Sequence, residues 1–342
     1  MKEKTKGETN SPEISFDQFK QIVLADYKLA NKSRQTSLLG RKEVLTGKAK
    51  FGIFGDGKEI AQIAMAKAFR NGDFRSGYYR DQTFMMAAGL LTIQQFFAQL
   101  YAHTDVNADP SSAGRLMNGH YATRLIDENG EWKELTAMKN SSADISPTAG
   151  QMPRLLGLAL ASKIYRNDPQ LGKEKFKKFS VSGNEVAFGT IGDASTSEGL
   201  FFETMNAAGV LQVPMAISVW DDGYGISVPT SLQTTKGSIS DALAGLERSK
   251  NKPGFIILKG KGWDYPGLCE MYEEGVRICR EKHIPVLFHI TEMTQPQGHS
   301  TSGSHERYKS KKRLKWEDEF DCIAKMRECI LQSAIATPAE LD

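Results

Sequence analysis

Residues 188–229 read FGTIGDASTSEGLFFETMNAAGVLQVPMAISVWDDGYGISVP, and this stretch decides the fold class. The run from Val186 to Ile191 is apolar and contains β-branched residues, as in a strand covered on both faces. A helical segment follows it, and Met215–Trp220 has the composition of a second buried strand. One βαβ unit is therefore predicted, within an α/β fold whose mostly parallel, doubly wound sheet carries helices on both faces.

Both predicted strands are followed by carboxylates, Asp193 after the first and Asp222 after the second. A right-handed crossover between parallel strands brings their carboxyl ends to one edge of the sheet. Ser195 and Thr196 are expected to cap the intervening helix, with Glu198 in its first turn. Two carboxylates beside a helix N-terminus suit Mg²⁺ and a phosphate ligand, although the spacing fits two solvated loop aspartates equally well.

Three segments, GDASTSEG, NAAGVLQVP and GYGISVPT, resemble the α subunit of the thiamine diphosphate-dependent decarboxylating component of 2-oxoacid dehydrogenase complexes. The closest likeness is to the branched-chain (2-oxoisovalerate) type, and it extends over roughly residues 40–320. It implies a thiamine diphosphate-binding fold in which Asp193, Asp222 and the Tyr224 carbonyl bind Mg²⁺. The resemblance also implies that the diphosphate and thiazolium contact Gly192, Ala194, Ser195, Trp220 and Ile226.

One departure from the family concerns the metal loop, where the usual Asn-Asn is replaced by Asp221-Asp222. An added carboxylate attracts Mg²⁺ more strongly, but it repels a diphosphate that lies a few ångströms away. The replacement therefore bears on the affinity for the cofactor and not on the fold.

The segment SGYYR, residues 76–80, matches a Tyr-Arg pair of the family, which implies that Tyr78, Tyr79 and Arg80 bind the cofactor. A guanidinium suits a diphosphate because its fork donates two parallel hydrogen bonds. From the residues alone, a surface ion pair between Arg80 and Asp81 would be the preferred interpretation.

Another matching segment is NSSADISPTAGQMPR, residues 140–154, which leads into a predicted helix. By resemblance, Ser146 and Thr148 contact the cofactor, and Thr148 stands where a bulky aliphatic residue supports it in the family. Ser146 and Gln151 also match the surroundings of a monovalent-cation site, in which Gly150 replaces a threonine. The alternative is a helix entry with no further role.

Two histidines are candidates for catalysis, His299 in GHSTS and His120 in GRLMNGHY. The resemblance implies that His299 faces the diphosphate and the 2-oxo acid carbonyl, as hydrogen-bond donor or proton carrier, and an unperturbed pKa suits both roles. His120 is a second candidate, for substrate or cofactor positioning, with a structural histidine as its alternative. A Tyr-Arg pair expected upstream of His299 is replaced by Gln295-Pro296, so a phosphate or substrate contact is lost or supplied elsewhere.

Composition limits the class of protein. The 342 residues are 40% hydrophobic and carry a net charge of +3, which gives no electrostatic indication of nucleic-acid binding. No apolar run reaches the roughly 18 residues that a membrane-spanning helix needs, and the N-terminus does not resemble a signal peptide. Four cysteines without metal-ligand spacing favour a reducing, cytoplasmic setting.

The predicted domain organisation has three parts: a polar, disordered tail at 1–13, a thiamine diphosphate-binding domain at 14–310 and a helical segment at 311–342. Within the domain, the stretch from Met85 to Tyr101 is predicted to form one apolar helix. A capped helix start at Thr337, close to the end of the sequence, suggests a longer polypeptide. The β half is then expected to follow it or to be a separate chain.

The matches imply the α portion of an enzyme that decarboxylates a 2-oxo acid with thiamine diphosphate and Mg²⁺ and transfers the acyl group to a lipoyl domain. In the family the glutamate that activates the cofactor comes from the β subunit, so an α₂β₂-type assembly is expected. A non-catalytic α-like assembly subunit is the alternative, favoured by Asp221-Asp222, Thr148 and the missing Tyr-Arg pair. A nicotinamide dehydrogenase would need a strand before a G-x-G-x-x-G turn, which the sequence lacks.

Overall fold

The computed structural model describes residues 14–342, so the expectation of a disordered tail at 1–13 lies outside the described residues. The strands are β1 Phe74–Ser76, β2 Asn140–Ser141, β3 Ala187–Gly192, β4 Met215–Trp220, β5 Tyr224–Gly225, β6 Val228–Pro229, β7 Ile256–Lys261 and β8 Val286–Thr291. The helices are α1 Phe16–Leu45, α2 Glu59–Ala68, α3 Gln82–Ala87, α4 Ile93–Leu100, α5 Met152–Asn167, α6 Gly199–Leu211, α7 Ile239–Leu243, α8 Tyr265–Lys282, α9 Lys311–Glu319, α10 Cys322–Gln332 and α11 Pro338–Leu341.

Six strands form one parallel sheet in the order β2-β1-β3-β4-β8-β7, while β5 and β6 pair as a small antiparallel ribbon. The two central strands, β3 and β4, are in register from Ala187 opposite Met215 to Gly192 opposite Trp220. Their carboxyl ends are therefore level, and the residues that follow them meet at one edge. The predicted fold class, a mostly parallel α/β sheet with helices, is confirmed.

Helices cover both faces of the sheet, which gives two separate apolar cores. Successive residues of β3 point to opposite faces, so Phe188 lies in the core that includes α1, α2 and α8, while Ala187 and Ile191 lie in the core with α5 and α6. Because helices cover each face, both β3 and β4 are almost entirely buried. This explains the continuous apolar runs seen in the sequence.

The entry to α6 differs from the prediction. A short 3₁₀ turn, Ala194–Ser197, follows β3 directly, and α6 begins only after it. Glu198 occupies the N-cap position of α6, and the Thr196 hydroxyl donates to the Asp193 carbonyl at 2.6 Å instead of capping the helix. The predicted caps at Ser195 and Thr196 are wrong because the tight turn after the strand uses these residues first.

The single helix predicted from Met85 to Tyr101 is also wrong, because α3 ends at Ala87 and α4 begins at Ile93. Thr92 starts the second helix with a capping box, in which its hydroxyl accepts from Gln95 N and the Gln95 side chain accepts from Thr92 N. The helical spacing of apolar residues continues across the break between α3 and α4, so it does not reveal the break. The cap residue Thr92 does.

The C-terminal residues form the helices α9, α10 and α11, which pack onto the rest of the described chain. Cys322, Met326 and Ile330 of α10 belong to the core that α1 and α2 share. The boundary at residue 310 stays a prediction. Within residues 14–342, none of the helices combines the length and apolarity needed to cross a membrane.

Candidate functional site

A cavity of about 370 Å³ opens at the carboxyl ends of β3 and β4. Its lining residues come from both strand ends, from the loops before α3 and α5, and from the loop after β8. They are Tyr78, Tyr79, Arg80, Thr148, Gly192, Asp193, Ala194, Ser195, Trp220, Asp222, Tyr224, Gly225, Ile226, Gln233, Gln295, His299, Tyr308 and Lys309. The fold thus brings together all the predicted site residues except His120 and Ser146.

His120 and Ser146 contact each other beside the cavity and are absent from its lining in the described part of the chain. The Nε2 atom of His120 lies 3.1 Å from Ser146 Oγ, and its Nδ1 lies 3.1 Å from the Met117 carbonyl oxygen. Because a carbonyl only accepts, Nδ1 donates to the Met117 carbonyl, while Nε2 is hydrogen-bonded to the Ser146 hydroxyl. The roles assigned to these two residues remain predictions.

Gln151, one of the two residues expected near a monovalent cation, is hydrogen-bonded to the sheet. Gln151 is buried, and its side-chain amide donates to the Thr190 carbonyl of β3 at 2.9 Å. Ser146, its proposed companion, is hydrogen-bonded to His120 Nε2. The cation site stays a prediction.

Two carboxylates line the cavity, Asp193 buried and Asp222 partly buried. Asp193 accepts a hydrogen bond from Thr230 Oγ1 at 2.8 Å, and burial together with the charges of Asp222 and Asp221 raises its pKa well above the usual range. Burial also acts to raise the pKa of Asp222, but Lys58 and further cations outweigh it and leave the pKa below its usual value. Like charges held together in a buried site are stabilised by a divalent cation.

Lys58, which the sequence analysis missed, binds one of these carboxylates. Its ammonium donates to Asp222 Oδ2 at 2.6 Å, to Gln295 Oε1 at 2.6 Å and to the Thr294 carbonyl at 2.8 Å. Only 1% of the residue is exposed. Lys58 stands 164 positions from Asp222, at the N-cap of α2, so no local pattern could have connected the two residues.

The turn that carries Lys58 is held against the loop after β8. Gly57 has φ +84°, and a Cβ atom there would come within 2.1 Å of the Thr294 carbonyl oxygen. Asp56 accepts from the backbone N–H of Gln297 at 3.1 Å. Both contacts fix the turn, and with it the lysine, close to Gln295.

Arg80 and His299, which both line the cavity, are hydrogen-bonded to each other. Arg80 Nη2 donates to His299 Nδ1 at 2.8 Å and to the His299 carbonyl at 2.9 Å, while Nη1 donates to the Phe54 carbonyl at 2.8 Å. Burial, and then the charge of Arg80, lowers the pKa of His299 to about 4. The assumption of an unperturbed pKa is therefore wrong, and the imidazole is neutral with its proton on Nε2.

The predicted alternative for Arg80, a surface ion pair with Asp81, is wrong. Arg80 is buried, and Asp81 instead binds Arg75 at 2.6 Å in a buried cluster of three residues that also includes Asp144. Within the described residues, the contacts of Arg80 leave its Nε hydrogen and one hydrogen of Nη1 for a further acceptor.

Lys309, just before α9, lines the cavity, and Arg313 of α9 contacts the loop after β4; no motif in the sequence identified either residue. Lys309 pairs with Glu317 at 2.7 Å and lies 5.5 Å from the Tyr224 ring centroid. Arg313 donates to the Asp222 carbonyl at 2.7 Å and so ties α9 to the loop after β4. The sequence offered one signal for these cations, the tyrosine-lysine pair Tyr308-Lys309 downstream of His299.

The donor set fits Mg²⁺ bound together with a diphosphate. In residues 14–342, no cluster of three or more His, Cys, Asp or Glu side chains could hold a metal by itself. A pair of carboxylates completed by phosphate oxygens is a usual arrangement for Mg²⁺. The indole N–H of Trp220, buried in the cavity wall, has no acceptor among the described residues, which is consistent with a ligand that supplies one.

Comparisons with known proteins identify the family of this chain. The model of the family described as "Dehydrogenase E1 component" matches residues 28–342. A 2-oxoisovalerate dehydrogenase subunit alpha of Bacillus subtilis is 31% identical over 201 residues, which cover 58% of this chain and 51% of that protein. The mitochondrial counterparts of Caenorhabditis elegans and Homo sapiens are each 26% identical, over 84% and 83% of this chain and 57% and 55% of their own lengths.

The predicted resemblance to α subunits of the branched-chain type is confirmed by these relatives. The chain spans about half the length of the curated relatives it matches.

Proposed function

Because this chain belongs to the dehydrogenase E1 component family, we propose that it is the α portion of a 2-oxoacid dehydrogenase that uses thiamine diphosphate and Mg²⁺. The observation that carries the proposal is the cavity at the ends of β3 and β4, whose lining combines the carboxylates of Asp193 and Asp222 with cationic side chains. The substrate is a 2-oxo acid, with 2-oxoisovalerate as the first choice because the relatives are named for it.

Asp193, Asp222 and the Tyr224 carbonyl are the ligands proposed for Mg²⁺. Arg80 has donors left for the diphosphate, and the small residues Gly192 and Ala194 let the anion approach the turn after β3. When bound, thiamine diphosphate supplies the electron sink for the carbanion formed by loss of CO₂.

His299 acts in this proposal as a hydrogen-bond donor through Nε2. Arg80 keeps Nδ1 occupied as an acceptor, which fixes the tautomer that presents the N–H. A pKa of about 4 makes the imidazolium scarce near neutral pH, so the residue orients and polarises the 2-oxo acid carbonyl rather than carrying protons.

The partners are part of the proposal. A β portion, fused or separate, completes the site and contributes the glutamate expected next to the cofactor, in an α₂β₂-type assembly. The acyl group passes to a lipoyl domain of an acyltransferase. The proposed compartment is the cytoplasm.

The test is calorimetric titration of thiamine diphosphate into the chain assembled with its β portion, with and without Mg²⁺. Binding that requires Mg²⁺ and disappears in Asp193→Asn is the expected result. Asp241→Asn is the matched control, because that exposed carboxylate pairs with Lys259 away from the cavity. A folded assembly that binds no thiamine diphosphate would overturn the proposal and favour a non-catalytic assembly subunit.

A further inference from the structure

The contacts of Lys58 join two features that depart from the resembled family. Its ammonium binds Asp222, one of the two carboxylates that stand in place of amides. The same ammonium binds Thr294 and Gln295, where the family's Tyr-Arg pair would begin. All three hydrogens of the ammonium are thereby used, on three different acceptors.

We propose that Lys58 makes Asp222 a charge-neutral member of the cofactor site, so that this aspartate serves where a neutral amide would otherwise be needed. The inference rests on the proposed function, because it concerns binding of Mg²⁺ and thiamine diphosphate in the same cavity.

The charges facing the cavity support this role. Asp193 and Asp222 line it together, and two uncompensated carboxylates would repel a diphosphate. An ammonium 2.6 Å from Asp222 Oδ2 cancels the net charge of this carboxylate. The second oxygen, Oδ1, accepts one contact from the described residues, at 3.2 Å from the Tyr224 backbone N–H. The Lys58–Asp222 pair then has the net charge of an amide and still presents a carboxylate oxygen.

The neighbouring aspartate, Asp221, is paired with a histidine instead of with Lys58. Asp221 Oδ2 lies 2.8 Å from His289 Nε2, and the other ring nitrogen of His289 lies 2.6 Å from Ser240 Oγ. Asp221 is not among the lining residues of the described chain. Asp222 is therefore the member of the pair whose charge a bound diphosphate would meet.

The position of Lys58 follows from the packing of its turn. Gly57 lies against the Thr294 carbonyl too closely for a side chain, which brings the next residue to the end of β4. From there the lysine supplies a cation beside the loop in which Gln295 and Pro296 replace the expected arginine. The cation thus comes from the start of α2 rather than from the loop after β8.

A purely structural role is the competing explanation, in which Lys58 only ties α2 to the metal loop. The two explanations differ in the outcome of a double substitution. A structural tie is lost in Lys58→Met, in Asp222→Asn and in the double variant alike. Charge compensation is lost in each single variant and regained in the double variant, which has the net charge of the wild type.

The experiment is calorimetric titration of thiamine diphosphate at saturating Mg²⁺ into the full chain assembled with its β portion, in four forms. Each single variant is expected to bind about tenfold or more weakly, because one charge of a buried pair is left uncompensated. The double variant is expected to return to within about threefold of the wild type, which is non-additive coupling. Single variants with wild-type affinity, or a double variant that binds as weakly as the single variants or more weakly, would overturn the inference.

A control variant distinguishes loss of stability from loss of cofactor binding. Arg280→Met breaks another buried pair, with Asp73 at 2.7 Å before β1, at the opposite edge of the sheet. It should lower the unfolding temperature without changing the dissociation constant of thiamine diphosphate.

If Lys58→Met does not fold, Lys58→Gln is used in the same cycle. A wild-type assembly that binds no cofactor would remove the proposed function as well, whereas a binding wild type with unaffected variants removes this inference alone.

Discussion

Arg80 binds His299 through two hydrogen bonds from one nitrogen, Nη2, at 2.8 Å to the ring and 2.9 Å to the carbonyl oxygen. These residues are 219 positions apart, and the contact determines both the orientation and the tautomer of the imidazole. A guanidinium cannot accept a proton from the ring, so it also disfavours the imidazolium. The proposed donor role of His299 depends on this pair.

Arg80→Met should raise the pKa of His299 above its value of about 4, because removal of the guanidinium charge favours the protonated ring. Burial, which is the larger cause of the depression, remains, so the pKa should stay below 6.5. Nuclear magnetic resonance titration of the ring protons measures this change. Arg277→Met, on the exposed face of α8, is the control. An unchanged pKa would contradict the assigned pair.

His299→Gln should reduce the turnover of a 2-oxo acid by about 100-fold, in the range found when a positioned donor to a developing charge is lost. The dissociation constant of thiamine diphosphate should change little, because the carboxylates and Arg80 remain. Steady-state kinetics and calorimetry on the same assembly test both statements. His103→Gln, at an exposed position, controls for loss of a histidine. Equal loss of turnover and cofactor affinity would argue for a role in cofactor binding.

Gly57→Ala should lower the free energy of unfolding far more than Gly47→Ala. Both glycines have similar positive φ values, +84° and +79°, so both variants bear about 1–2 kcal/mol of backbone strain. Only at Gly57 would the new Cβ also meet the Thr294 carbonyl oxygen at 2.1 Å, whereas Gly47 has no described atom within 4 Å. Chemical denaturation measures the difference. Equal costs would show that the turn and the loop after β8 are not held together.

Arg75→Met should destabilise the protein by about 3–5 kcal/mol, because it leaves Asp81 and Asp144 buried without their cation. Lys259→Met, which removes the exposed partner of Asp241, should cost about 0–1 kcal/mol. Denaturant unfolding of both variants under one condition gives the comparison. A similar cost for the two would mean that the Arg75 network is more hydrated than its burial indicates.

Stability should fall as the pH is lowered, in part through His283. Burial lowers the pKa of this histidine from 6.5 to about 4, and its Nε2 donates to the Gly183 carbonyl at 2.9 Å. The unfolded chain therefore binds a proton before the folded one, and the stability present above pH 6.5 is lost as the pH falls through 4. His283→Asn keeps a residue that tolerates φ +52° and should show a weaker pH dependence of the unfolding free energy. Identical slopes would rule out His283 as a contributor.

Much of the fold could be predicted from the central stretch because its pattern is local. β4 has the predicted bounds and β3 lies within one residue of them, since buried strands between helices require continuous apolar runs. Helix boundaries were less predictable. The apolar spacing from Met85 to Tyr101 passed through a break that the Thr92 cap created, and the turn after Gly192 displaced the expected cap of α6.

Most predicted site residues were identified by resemblance, and the fold places them around one cavity. The cations were harder to identify. Lys58 acts across 164 positions and Arg313 across 91, through turns whose packing has no periodic signal in the sequence. The near-neutral pKa assumed for His299 failed for a related reason, because burial and a distant arginine determine it.

The sequence by itself determined that two strands of one βαβ unit end in carboxylates at the same edge of a parallel sheet. Backbone geometry and the right-handed crossover are sufficient for that conclusion, because they act within one contiguous stretch. Only the tertiary structure decided which charges those carboxylates meet. Lys58 reaches Asp222, and Arg80 reaches His299, because separate loops are packed together by contacts such as that between Gly57 and Thr294. Long-range packing therefore sets the electrostatics of the site, while local sequence sets its position.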